Sequence, residues 1–251
     1  MAVPLFITGT GTGVGKTLIT ALLTLHLRRQ GIHAIALKPY CSGSWDDTDL
    51  LIRANGGGLQ RSQVTAVYCR EPLAPYAALG VRDSLRCVTD AIELVKDWEM
   101  NCDVLIVEGA GGVAVPLAPH YTMASFLTEL GALPLVVGCN RLGILSEVQV
   151  CHSFLDQCKR GAVGILLMGT EAPDESAVSN AGILKEVLAI PALFQLPFLG
   201  LGLENIEVLK RQEKKQRKTL ARVAEWYNVS SSSSSGTEQI TAPKNADLSE
   251  G

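Results

Sequence analysis

Apolar positions along this chain gather into short unbroken runs, set apart by stretches of helical spacing. Val3–Thr8, His33–Lys38, Asp103–Glu108, Leu133–Cys139, Val163–Met168 and Ala192–Leu196 are the runs. They lack the apolar–polar alternation of a sheet with one wet face, so they predict strands buried on both faces. Between them, Lys16–Gln30 (closed by Gly31), Ser84–Glu99, Ser125–Leu130, Leu145–Lys159 and Glu175–Leu188 carry apolar residues at helical intervals. Buried strands alternating with helices predict a single α/β domain: a parallel sheet with helices on both faces. No internal repeat is present.

The pattern changes near the C-terminus. Glu204–Asn228 spaces Leu209, Leu220, Val223 and Trp226 like one helical face, with the dense basic run Lys210–Lys218 between them. It predicts an amphipathic helix with a solvated charged side. Six serines and a glycine follow from Ser230, then a polar stretch. Residues 1–229 are therefore expected to form the domain, and 230–251 a disordered tail unable to bury enough surface to fold.

Composition narrows the class. With 251 residues, 47% of them hydrophobic, one α/β domain with a substantial core is expected. A net charge of −3 argues against a nucleic-acid or membrane-surface partner, and no run is long and apolar enough to span a bilayer. Met1-Ala2-Val3-Pro4 lacks the regions of a signal peptide. Seven scattered cysteines without a C-x-x-C are read as reduced thiols, which points to the cytoplasm. Cys151 beside His152 lacks zinc-ligand spacing.

The chemistry-bearing segment is Thr8-Gly9-Thr10-Gly11-Thr12-Gly13-Val14-Gly15-Lys16-Thr17, between a strand and a helix. Glycines let backbone N–H groups converge on phosphate oxygens at the positive end of a helix. Lys16 would reach the β- and γ-phosphates, and Thr17 would offer its hydroxyl to Mg²⁺. This is a P-loop NTPase-like arrangement, with its first glycine displaced: counting back from Gly15, the strict pattern wants glycine at Thr10, whereas it stands at Gly9. ParA- and MinD-like ATPases follow their glycine with a lysine that reaches a partner's nucleotide; that position here is Gly11. Lys38 closes the second strand, at the end where open α/β sheets bind ligands. Asp49 and Glu108 are hard oxygen donors suited to Mg²⁺, with Asp46 and Asp47 as near competitors of Asp49.

The offset loop, of the form Gly-Thr-x-Thr-x-Val-Gly-Lys-Thr, resembles that of the dethiobiotin synthetases. Lys38-Pro39 with Ser42-Gly43, Pro72-Leu73-Ala74-Pro75, Glu108-Gly109-Ala110-Gly111-Gly112 with Pro116-Leu117, and Leu142-Gly143 follow in that family's order, over about residues 3–205. The resemblance implies an ATP- and Mg²⁺-dependent ligase that forms dethiobiotin from diaminopelargonate and CO₂ as a homodimer. It implies catalytic roles for Lys16, Lys38 and Thr12, and a metal held by Thr17, Asp49 and Glu108. The nucleotide would meet Gly13, Val14, Gly15, Lys16, Thr17, Leu18, Gly109, Ala110 and Gly111. Ser42, Gly112, Gly143 and Ser146 would serve the organic substrate. Tyr76 stands where the family has His. Met168-Gly169 stands where it presents Asn-Asp to the adenine edge, leaving backbone near Pro197, Phe198 and Leu199, with Glu204, to hold a base; a broad nucleotide preference is the expectation. A cobyrinate-diamide-synthase-related ligase is the alternative enzyme, but it would need a glutaminase domain for which the chain has no room.

Overall fold

The computed structural model describes residues 3–158, 163–188, 190 and 192–234. In chain order the elements are β1 (Leu5–Gly9), α1 (Lys16–Arg29), β2 (Ala34–Leu37), β3 (Tyr40–Ser42), α2 (Asp46–Ala54), β4 (Val67–Cys69), α3 (Pro75–Glu99) and β5 (Val104–Glu108). Then come β6 (Pro116–Ala118), β7 (Tyr121–Thr122), α4 (Met123–Glu129), β8 (Leu133–Cys139), α5 (Ile144–Gln157), β9 (Gly164–Met168), α6 (Asn180–Leu188), β10 (Leu193–Leu196) and α7 (Ile206–Ser234).

Six strands form one parallel sheet in the order β10-β9-β8-β1-β5-β2. These are the six runs read from the sequence, each within one or two residues of its expected bounds. Every residue of β1, β2, β5 and β9 is buried, as a sheet covered on both faces requires. One face packs Phe6, Leu105, Val107, Phe126 and Ile165; the other packs Ile7, Leu22, Ile106, Leu166 and Leu220.

The chain leaves β1 toward β2 on one side and later crosses to β8 on the other. The carboxyl ends of β1 and β5 thus face the crevice where open α/β sheets hold ligands. Register sets Ile7 opposite Glu108, and Thr10 N–H donates to Val137 O at 2.9 Å, tying the loop after β1 to β8.

Helix bounds differ more. The helix expected from Ser84 begins at Pro75, in a first turn that proline pre-sets, and its φ of 72° at Gly80 interrupts it. Ala78 and Leu79 pack against the core while Val81 and Leu85 are exposed, so apolar residues fall on both sides of the early turns and give no single face to read. The run expected as one helix from Glu175 divides into a 3₁₀ turn, Glu175–Val178, and α6. The C-terminal helix starts after Asn205, whose Oδ1 accepts Glu207 N–H at 2.9 Å, and runs through the first serines to Ser234. The expected tail lies outside the described residues from 235 onward.

Candidate active site

The loop between β1 and α1 owes its shape to side-chain size. A Cβ on Gly9 would stand 2.7 Å from Val14 Cγ2, so the displaced glycine makes room for Val14, which folds back and is buried. Gly13 and Gly15 adopt φ of 76° and 97°, values open to glycine at little cost, and Gly15 caps α1. Lys16 is 7% exposed and its ammonium turns back to donate to Gly11 O at 2.7 Å.

Below the loop lies a compact charged cluster. Glu108, at the end of β5 and 1% exposed, accepts through Oε1 from Thr17 Oγ1 at 2.8 Å and from Lys38 Nζ at 2.6 Å. Lys38 also donates to Asp47 Oδ2 at 2.7 Å. Four segments distant in sequence therefore converge: the start of α1, the residue after β2, the first turn of α2 and the end of β5. Burial pulls Lys38 toward neutrality, but Glu108 and Asp47 outweigh it and hold the ammonium above its ordinary range. Burial also lowers Lys16, where Glu108 opposes it and Lys38 adds to it, and the net shift is downward. Of the two lysines, Lys16 is thus the easier to deprotonate.

Among the described residues, Glu108 Oε2 is buried without a hydrogen-bond partner. A buried carboxylate oxygen left unmatched is costly, and here it sits on the carboxylate that binds the Thr17 hydroxyl. Among the described residues no group of three or more His, Cys, Asp or Glu converges. One carboxylate beside a hydroxyl suits Mg²⁺, which completes its shell with phosphate and water.

The cluster opens into a cavity of about 1060 Å³. Thr12, Gly13, Gly15, Lys16, Thr17 and Leu18 line it from the loop and α1. Lys38, Ser42, Asp47 and Asp49 line it from the second side, and Glu108, Ala110 and Gly111 from β5 and its loop. Glu204 and Leu203 stand in the wall, as do Pro72–Pro75. Most residues assigned from the sequence are thus gathered into one space.

Some are placed elsewhere. Asp49 lines the cavity, but Arg61 holds both its oxygens, Nε to Oδ1 at 2.8 Å and Nη2 to Oδ2 at 2.7 Å. The aspartate that reaches Lys38 is Asp47. Gly109 and Gly112 do not line the cavity: a Cβ on Gly112 would stand 3.1 Å from Gly9 O, so the loop after β5 rests on the chain's own phosphate loop. Gly143 and Ser146, at the start of α5, are also outside it. Their link is indirect, since Thr10 Oγ1 donates to Glu147 Oε2 at 2.9 Å, and Arg141 holds the other oxygen of Glu147 at 2.8 Å.

Met168 is buried, with its side chain 3.2 Å from where a Gly15 Cβ would be. Gly169 N–H donates to Leu196 O at 2.7 Å, and a Cβ on Gly169 would fall 2.6 Å from Phe198 N. Any larger residue there would have to displace the Pro197–Phe198 backbone. Leu199 is buried and Phe198 is partly exposed. Cys41 is buried beside the site, and burial pushes its thiol up, away from thiolate chemistry.

Comparison with known proteins gives a consistent picture. A family model described as an AAA domain matches residues 4–212. An ATP-dependent dethiobiotin synthetase from Bacillus licheniformis is 30% identical over 200 residues, covering 77% of this chain and 85% of the relative. One from a Hydrogenobaculum species is 33% identical over 187 residues, covering 73% and 85%. Among solved structures, a MinC:MinD cell division protein complex from Aquifex aeolicus matches with a TM-score of 0.57 at 12% identity, covering 98% of this chain and all of that chain. That last likeness concerns the fold alone.

Proposed function

The chain belongs to the ATP-dependent dethiobiotin synthetase family, within the AAA-domain match, and from that premise we propose how it closes the cyclic urea of dethiobiotin. It is an ATP-using ligase of biotin biosynthesis. Its substrates in this reading are 7,8-diaminopelargonic acid (diaminononanoate), CO₂ and a nucleoside triphosphate.

One amine of the substrate adds to CO₂ and loses a proton, giving a carbamate. A carbamate oxygen attacks the γ-phosphorus, and the bond to the β-phosphate oxygen breaks, releasing the diphosphate. The second amine attacks the carbonyl of the resulting carbamic–phosphoric anhydride, phosphate leaves, and the ring closes with loss of a proton. Phosphoryl transfer of this kind asks for positioning and charge neutralisation more than covalent catalysis. Backbone amides of Gly13–Leu18 hold the phosphates. Lys16 swings from the Gly11 carbonyl to the β- and γ-phosphates. Lys38, kept protonated by Glu108 and Asp47, faces the charge that develops between carbamate and phosphoryl group. Thr12 and Ser42 hold the carbamate by hydrogen bonds. Mg²⁺ bound at Thr17 and Glu108, with Asp49 or Asp47, would neutralise charge on the phosphate oxygens. Glu204 and the Pro197–Leu199 backbone hold the base. Gly143 and Ser146 lie outside the cavity, and this favours their serving the substrate carboxylate of a second subunit in a homodimer. Leu142 beside them is 75% exposed.

The observation that carries the reading is the convergence of Thr17, Lys38 and Glu108 beneath the phosphate loop. The test is direct: incubate the purified chain with diaminopelargonate, bicarbonate, Mg²⁺ and each nucleoside triphosphate in turn, and look for dethiobiotin by mass spectrometry. Product that depends on the triphosphate and on Lys38 is the expected result. Absence of product with every triphosphate would overturn it.

A further inference from the structure

The protein as a whole is acidic, with a net charge of −3, yet a second cavity of about 620 Å³ is walled by cations. It lies between the last turns of α1, the end of α2 with its following glycines, and the first turns of α7. Six cationic side chains line it: Arg28, Arg29, Arg53, Lys210, Arg211 and Lys214. The two carboxylates in its wall are already engaged. Glu213, 2% exposed, is held by Arg29 at 3.0 Å and by His26 at 2.8 Å, and Glu207 accepts from Lys210 at 2.7 Å.

Arg28, Arg53, Arg211 and Lys214 make no ion pair among the described residues. Arg28 and Arg53 are oriented instead by backbone carbonyls, Ala34 O at 3.0 Å and Glu204 O at 3.2 Å, which fix a guanidinium without neutralising it. Gly56 and Gly57 complete the wall with no side chain to fill it, and a Cβ on Gly56 would stand 3.0 Å from Arg28 Nη2. Like charges gathered around a concavity focus a positive potential and raise the local concentration of anions.

We propose that this cavity is a second phosphate-recognition site, separate from the phosphate loop, that binds a small anion carrying two or more phosphoryl groups. Guanidinium forks match phosphate oxygens in geometry and charge. Four cations outside direct ion pairs suit a multiply charged ligand better than a single carboxylate. Strand-like nucleic acid would call for aromatic side chains on which bases stack, and among the described residues none lines this cavity. Arg53 lines both cavities, so the site adjoins the larger one at Glu204.

The test uses inorganic pyrophosphate, titrated by calorimetry into the full chain carrying Lys16→Ala, so that the phosphate loop does not mask the second site. One saturable site per chain is expected. Arg211→Glu with Lys214→Glu, added in that background, should weaken it at least about tenfold. The milder pair Arg211→Gln with Lys214→Gln should weaken it less, with circular dichroism confirming the fold. Lys215→Glu with Lys218→Glu changes the net charge equally on the same helix but outside the cavity, and should leave affinity within about twofold. Absence of saturable binding, equal weakening by the control pair, or tighter binding of an oligonucleotide than of pyrophosphate would each overturn the proposal. Because the host carries Lys16→Ala, none of these outcomes depends on whether the chain makes dethiobiotin.

Discussion

The phosphate end of the larger cavity and the region proposed for the base, of which only Glu204 lines that cavity, are built on different terms. At the first, Lys16, Lys38 and Glu108 are buried charges joined through short hydrogen bonds to Thr17, Asp47 and a loop carbonyl. At the second, Met168 packs beneath Gly15, and Gly169 is wedged against the Pro197–Phe198 backbone. One end is specified by which side chains are present and how their charges offset burial. The other is specified by how closely two stretches of backbone approach. Chemistry that needs charge at a fixed point depends on the first, whereas base discrimination needs donors and acceptors that Met168 and Gly169 do not offer from their side chains.

The sharpest way to break this contrast is Lys16→Ala. Removing the ammonium proposed to reach the transferred phosphoryl group should lower kcat by at least about three orders of magnitude, roughly 4 kcal/mol of transition-state stabilisation. Met168→Ala at the other end should keep kcat within about tenfold. Rates of dethiobiotin formation by mass spectrometry check both. A folded Lys16→Ala variant with most of its activity would show that the phosphate end is not where the barrier is lowered.

Lys38→Met should cost turnover about a hundredfold and nucleotide affinity little, since its proposed partner is developing charge rather than ground-state triphosphate. It also strands Glu108 in the interior, which should lower stability by about 3 kcal/mol. Adding Glu108→Gln to Lys38→Met should recover part of the stability and none of the turnover. Equal losses in affinity and turnover for Lys38→Met would instead place Lys38 in nucleotide binding.

The metal assignment sharpens the comparison further. Glu108→Gln should raise the Mg²⁺ concentration for half activity by about tenfold, roughly 1.4 kcal/mol. Asp49→Asn should raise it less, because Arg61 already holds both of its oxygens. An unchanged Mg²⁺ titration for either variant removes that residue from the metal shell, and a larger effect from Asp47→Asn would move the second ligand to Asp47.

What the sequence disclosed follows the same division. The six sheet strands were legible because each is buried on both faces and so reads as an unbroken apolar run. The short pairs β3–β4 and β6–β7 were not, because two or three residues carry no period. Lys16, Thr17, Lys38 and Glu108 stand in motifs whose order along the chain already points to one crevice. The pairing of Lys38 with Asp47 was hidden among three nearby aspartates. A helix turns by about 100° per residue, so Asp46 and Asp49 share a side that Asp47 leaves, but this can be used only once the start of α2 is known. The basic run of α7 read as a solvated face. Only the fold brings Arg211 and Lys214 together with Arg28 and Arg53 around one cavity.

The base end offers the smallest effect and the most exposed prediction. An enzyme that selects adenine buries donors and acceptors matched to its edge, and another base is then rejected because those groups go unpaired. Met168 has no such group, and the Gly169 N–H is already spent on Leu196 O. The phosphate loop and its charged cluster, by contrast, are complete, so most of the binding energy should come from the triphosphate and its metal. ATP, GTP and CTP should therefore support dethiobiotin formation within about tenfold of one another, a spread of roughly 1.4 kcal/mol. Two variants separate the residues at this end. Met168→Asn places an amide next to Gly15 and should shift the preference toward ATP. Gly169→Asp should destabilise the protein before it can confer any preference, because its Cβ would fall 2.6 Å from Phe198 N. Thermal melts and competition among the three triphosphates check both. A wild-type preference for ATP above about a hundredfold, roughly 2.7 kcal/mol, would mean that backbone around Pro197–Leu199 reads the base unaided, and Met168 would then not be the position at which specificity was lost.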